Sequence, residues 1–143
     1  MVTTLNAQKL THIFKLNLQT HNMICTVTDS DFRVRIFSRG DLLVLYDETK
    51  GEIVLKKKNP ALDSPMKRPI VAKECIRLGA DKVLAAHGSV CFPAYRMLKK
   101  AGIKTLITDD GNELKTTNYW NVNWKEVMYS SFLAMTERIK GHD

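Results

Sequence analysis

The sequence predicts a three-layer α/β/α domain on a five-stranded mixed sheet in the order 3-2-1-4-5, with only strand 2 antiparallel. Three observations carry this. The stretch Arg77–Gly88 is echoed by Lys100–Gly111: each ends a helix at a glycine (Gly79, Gly102), runs through a short apolar segment and stops at a second glycine (Gly88, Gly111). The apolar segments Val83–Ala86 and Thr105–Thr108 are bounded by glycine and charge, as buried parallel strands are, so the helix between them is a right-handed crossover. Leu42–Asp47 and Glu52–Lys57 flank the short link Glu48-Thr49-Lys50-Gly51, which makes them an antiparallel hairpin.

The chain of 143 residues fits one domain, covering residues 22–143, with residues 1–21 as an N-terminal extension. In that extension Leu5, Lys9, His12, Ile13 and Leu16 suit a helical stripe, while Phe14, Leu16 and Leu18 suit a strand. It is expected to pack on the domain or on a neighbouring chain, as in a homodimer. No apolar run approaches the roughly 20 residues of a membrane span, and Met1–Leu10 lacks a signal-peptide core. Three cysteines, an odd number at no paired spacing, point to a reducing compartment and hence the cytoplasm. The net charge of +7 admits an anionic partner: nucleic acid, a phosphorylated ligand or an anionic cluster.

In order, Asn22–Thr28 is a β-branched strand ending at the turn Asp29-Ser30-Asp31, with Cys25 a core thiol. Asn59-Pro60 stops the third strand, and Asn59–Pro69 is a loop. Pro69 opens a helix Ile70–Leu78, with Cys75 facing the core, and Pro93 opens Ala94–Ala101. Asn112–Asn123 is a polar loop in which Tyr119 and Trp120 pack under the sheet. Asn123 caps a last helix, with Glu126 completing a capping box and Gly141 ending it. Trp124, Met128, Phe132, Met135 and Ile139 recur at helical spacing and read as its core face.

The chain changes direction across the sheet between strands 1 and 4. In open α/β sheets, ligands take the crevice at the strands' carboxyl ends at such a point. Three loops converge there: Asp29-Ser30-Asp31, His87–Phe92 and Asp109-Asp110-Gly111. The segment His87-Gly88-Ser89-Val90-Cys91 joins a strand end to a helix N-terminus, where N–H groups attract anions and a thiol pKa is lowered. His87 and Cys91 are therefore the candidate metal or cluster ligands, with Gly88 and Ser89 beside them. One His and one Cys do not complete a four-ligand site, so Asp29, atoms of the ligand or a second subunit would have to join them.

Asn22 to about Asn112 resembles the dinitrogenase iron–molybdenum cofactor biosynthesis (nitrogenase accessory factor-like) family. Phe37-Ser38-Arg39-Gly40-Asp41 leading into Leu42–Asp47 is similar to its Phe-Gly-Arg segment and strand. Asn59-Pro60 is similar to its Asn-Pro, and Pro93–Lys104 to its Ala-Tyr…Leu…Ala-Gly-Ile-Lys helix and strand. The resemblance implies a ribonuclease H-like motif, Arg39 as a further binding residue, and a non-enzymatic role in binding or carrying a cofactor of iron–sulfur or iron–molybdenum type. The chain departs from the family where ligand contacts belong. Asp63–Pro69 replaces a Gly-rich stretch, and His87–Phe92 is a residue longer than the family's loop. Ribonuclease H-like nucleases share the layout but place metal-holding carboxylates on strands 1 and 4; here His87 ends strand 4 and no acid follows, so nuclease chemistry is not expected. The lysine and arginine surplus, with Tyr119 and Trp120, leaves a nucleic-acid or ribonucleoprotein module as the alternative.

Overall fold

The structure is a computed structural model that describes residues 22–140. The expectations for residues 1–21 and for Gly141 lie outside those residues. Six strands form one sheet: β1 (Met23–Thr28), β2 (Leu42–Asp47), β3 (Glu52–Lys58), β4 (Lys82–Ala86), β5 (Lys104–Thr108) and β6 (Trp120–Asn121). Their order is β3-β2-β1-β4-β5-β6. The first five follow the expected order, and β1, β4 and β5 run parallel with β2 reversed. The sixth strand is a correction: part of the expected polar loop pairs antiparallel with β5, Trp120 opposite Ile107. Two residues are too few to show alternation, so no period announced it. At the other edge, Lys56, Lys57 and Lys58 stud β3 and discourage pairing with another sheet.

Three helices accompany the sheet: α1 (Lys67–Arg77), α2 (Phe92–Lys100) and α3 (Trp124–Lys140). The first begins three residues ahead of the expected Ile70. Pro69 sits within the first turn, where its missing N–H is one no helix bond needs. Gly79 and Gly102 end α1 and α2 at φ +77 and +76, so the sequence echo is also a backbone echo.

Each strand sends alternate residues to the two faces. On one face Cys25, Val27, Leu43, Val83 and Ile107 pack against Val71 and Ala72 of α1 and Ala94 and Leu98 of α2. On the other, Ile24, Val44, Leu84 and Leu106 are covered by Val34, Ile36 and Leu114, which lie in connecting segments. Leu133 of α3 also packs against this second face.

Two further corrections concern side chains. Cys25 of β1 and Cys75 of α1 form a disulfide, Cα to Cα 5.6 Å, where two core thiols were expected. They lie 50 residues apart and meet only because α1 packs across the central strand. The pairing removes the premise from which a reducing compartment was inferred, and Cys91 is the free thiol among the described residues. Second, the apolar stripe of α3 faces outward. No helix of the described residues is long and apolar enough to cross a membrane.

On the surface of α1, Glu74 receives hydrogen bonds from Arg77 and Lys57. Arg77 above all, with Lys57 and against the upward push of burial, lowers its pKa from 4.5 to about 2. A carboxyl whose folded pKa is depressed adds stability above its unfolded value and loses it as the pH falls toward the folded one. Glu74→Gln is therefore expected to flatten the fall in urea midpoint between pH 4.5 and about 2, with little change near neutrality. An unchanged acid limb would remove this pair from the account of acid stability.

Candidate functional site

Parallel pairing of β1, β4 and β5 brings Asp29, His87 and Asp110 to one rim of the sheet. The acids there are engaged in holding the chain. Asp29 Oδ1 accepts from the Asp31 and Arg33 N–H groups, and Oδ2 from Arg35 Nε at 2.8 Å. Burial works against that carboxylate, but these hydrogen bonds outweigh it and hold its pKa below the usual range. Arg35 also reaches Asp110, whose second oxygen accepts from the Ile36 N–H. Asp29 thus fixes residues 29–36 and is not among the residues lining the cleft described below.

Asn59 builds the neighbouring turn. It is fully buried; its amide donates to the Phe37 and Gly40 carbonyls at 2.9 Å and its Oδ1 accepts from Ala61 N. Gly40 must be glycine, because an added Cβ would lie 2.2 Å from Val27 Cγ1. Ser89, also fully buried, accepts from the Phe37 N–H at 3.0 Å. These bonds set the turn that carries Ser38 and Arg39.

Helix α3 closes over this rim. Asn123 Oδ1 accepts from the Glu126 N–H, as a capping residue should. The Glu126 carboxylate, however, does not complete a capping box. It is 4% exposed and turns to the β4 loop: Oε1 lies 2.6 Å from His87 Nδ1, and Oε2 accepts from the Gly88 N–H at 2.7 Å and from Ser130 Oγ. The His87 ring stacks on Tyr129, centroids 4.3 Å apart. One turn further, Ser131 Oγ accepts from the Phe92 N–H at the start of α2. Three turns beyond Glu126, Glu137 accepts from Arg68 Nη1 and Nη2 (2.8 and 3.2 Å), from Arg39 and from Ser38. Arg68 is 3% exposed, and its Nε donates to the Gly88 carbonyl. Burial pushes the Glu137 carboxyl up, yet its hydrogen bonds, Arg68's foremost, hold it below the usual range.

Gly88 is pinched between these groups at φ +97, with an added Cβ 2.9 Å from Leu133 Cδ2. Gly88→Ala is expected to destabilise the protein by roughly 2 kcal/mol, from the left-handed backbone and the displaced Leu133 together. A thermal melt reads it, and an unchanged melting temperature would mean that α3 does not press on the loop.

Between α1, α2 and α3 lies a cleft of about 540 Å³, within the range of small-molecule sites. Arg39, Lys67, Arg68, Cys91, Glu137 and Arg138 are among its walls, four cations to one carboxylate. Of the expected binding residues, Arg39 and Cys91 line it. Gly88 and Ser89 stand behind it, joined through Arg68 and Phe37, and His87 pairs with Glu126. Cys91 does precede α2, but its pKa is raised: burial outweighs the nearby N–H groups and the Arg68 charge, which corrects the expectation of a lowered thiol pKa. Among the described residues no group of three or more His, Cys, Asp or Glu side chains could hold a metal ion. The donor set fits an anionic group held by guanidinium charge, not a cluster ligated wholly by the protein. Glu126 engages His87 Nδ1, so Nε2 is the ring nitrogen that could coordinate; a carboxylate partner of this kind is common behind metal-bound histidines.

Sequence reasoning did not assign Arg68 or the two glutamates to the site: Glu126 reads as a helix cap, and no motif marks Arg68 or Glu137. Lys57 and Lys99 lie elsewhere, one paired with Glu74 and the other over the Tyr95 ring.

No family model and no curated protein matches the sequence. Among solved structures, the chain is similar to the apo form of the orange protein from Desulfovibrio gigas. The likeness covers 84% of this chain and 88% of that one, with a TM-score of 0.53 and 17% identity, and it shows a shared mixed α/β fold.

Proposed function

We propose that the chain is a non-enzymatic carrier or accessory protein that binds an anionic cofactor, of metal-cluster type, at the carboxyl ends of β1 and β4. The observation that carries this is the cleft beside that rim, where Arg39 and Arg68 meet on one carboxylate and Lys67 and Arg138 add charge. The reading is supported by the sequence resemblance to nitrogenase accessory factor-like domains. It is also supported by the fold likeness to a protein solved in an apo form, one that takes a bound group. The guanidinium groups would hold the cofactor's charge, and its coordination would come from its own ligands. The test is anaerobic addition of iron and sulfide to the purified chain. A new visible absorbance with a raised melting temperature is expected; an unchanged spectrum with an unchanged melting temperature would overturn the reading.

A second reading is favoured by Tyr119 and Trp120. Expected under the sheet, they are 40% and 38% exposed at its edge, where aromatics can stack on bases. A nucleic-acid-binding module on this surface must bind more weakly as salt rises. Binding of single-stranded RNA that ignores salt, or none at low salt, removes it.

A further inference from the structure

Among the described residues, the outer face of α3 carries a row of exposed apolar side chains. Trp124, Met128, Phe132, Met135 and Ile139 are between 51% and 69% exposed. The inner face is already committed to the rim through Glu126, Val127, Ser130, Leu133, Ala134 and Glu137. The outward side chains are therefore not explained by packing within the described chain.

Their spacing says what fits. Met128, Phe132, Met135 and Ile139 follow one another at intervals of four, three and four, the repeat of a helix–helix seam. Read antiparallel against itself, the seam is self-complementary: Met128 lies opposite Ile139 of the second copy and Phe132 opposite its Met135, each pairing occurring twice across a two-fold axis. The flanking positions then set Arg138 beside Ser131 of the second copy and Tyr129 beside its Thr136, so no like charges face each other.

We infer that α3 is a homodimer interface, with a second copy of this chain as its occupant in an antiparallel helix pair. This stands whether or not the cleft takes a cofactor. Exposed side chains of this size offer on the order of 100 Å² each, so five remove roughly 500 Å² per copy and about 1,000 Å² in total. That exceeds the few hundred Å² of a chance apolar patch and falls at the low end for a specific interface. An interface of that size is expected to be weak, so the dimer is concentration-dependent.

Sedimentation velocity of the full chain, from low to several hundred micromolar, reads it. The mean mass should approach a two-fold rise from 16.3 kDa, and Phe132→Lys should hold it at one chain throughout. Ile139→Lys, at another exposed point on the seam, should do the same, and unchanged melting curves show both variants folded. A wild-type chain that stays monomeric at every concentration overturns the inference and leaves residues 1–21 or a different partner as the cover. A dimer that survives both lysines overturns it as well, because another face would then be holding it.

Discussion

Reducing the Cys25–Cys75 bond is expected to lower the unfolding free energy by about 4 kcal/mol and the melting temperature by roughly 10 °C. The separation of 50 residues sets the scale, because cross-linking a loop of that length removes much of the freedom of the unfolded chain. The bond also joins the middle of β1 to α1 across the main core, where neither sulfur meets water. Thiol titration of the denatured, unreduced chain should return Cys91 alone. Three titratable thiols would mean that the pair remains reduced, and a transition that ignores reductant would mean that the bond is present but constrains nothing. Cys25→Ala with Cys75→Ala should reproduce the reduced protein's midpoint, with a further loss from the small cavity left behind.

The disulfide also shows what kind of information the sequence withheld. Local signals were readable: hairpin length, glycine stops, prolines near helix starts and the parallel strand pair all follow from residues near one another in the chain. They fixed five of the six strands and their order, and so the rim on which His87 and Asp110 meet. Long-range partnerships were not readable. Nothing in the spacing of Cys25 and Cys75 signals a bond, because their meeting depends on how far α1 slides across the sheet. The same holds for Glu126 and Glu137. Glu126 reads locally as a cap and Glu137 belongs to no motif; only the docking of α3 gives them His87, Gly88 and Arg68.

The outward stripe of α3 failed for a related reason. Periodicity says that a helix has an apolar face; it does not say what that face meets. On α2 the apolar face meets the sheet. On α3 a polar face does the docking, through two carboxylates and the Ser131 hydroxyl, because the rim offers donors: N–H groups of Gly88 and Phe92, the imidazole and two guanidinium groups. A donor-rich rim is what an anion site requires. In this fold α3's own acids occupy part of it, which ties the stability of the helix to the chemistry of the cleft.

Glu137 is where that tie can be measured. Glu137→Ala removes the carboxylate under which Arg68 is buried and leaves that guanidinium with the Gly88 carbonyl as its remaining partner. A buried charge stripped of its counter-ion costs about 3–5 kcal/mol, and the partial exposure of Glu137 puts this case near the lower figure. Arg68→Met added to Glu137→Ala should recover much of the loss, since neither charge then stays buried without the other. Acid sensitivity moves in the matching direction. The Glu137 carboxyl has a folded pKa below its usual 4.5, so its contribution is full above that value and fades as the pH falls below it; the alanine variant lacks that part of the acid limb. The link to function comes from anions. With Glu137 gone, Arg39 and Arg68 face the cleft without their carboxylate, so inorganic phosphate at fixed ionic strength should raise the melting temperature of Glu137→Ala more than that of the wild type. Equal shifts in the two proteins would mean that these guanidinium groups do not receive an external anion, and the cleft would lose the residues on which its proposed ligand depends.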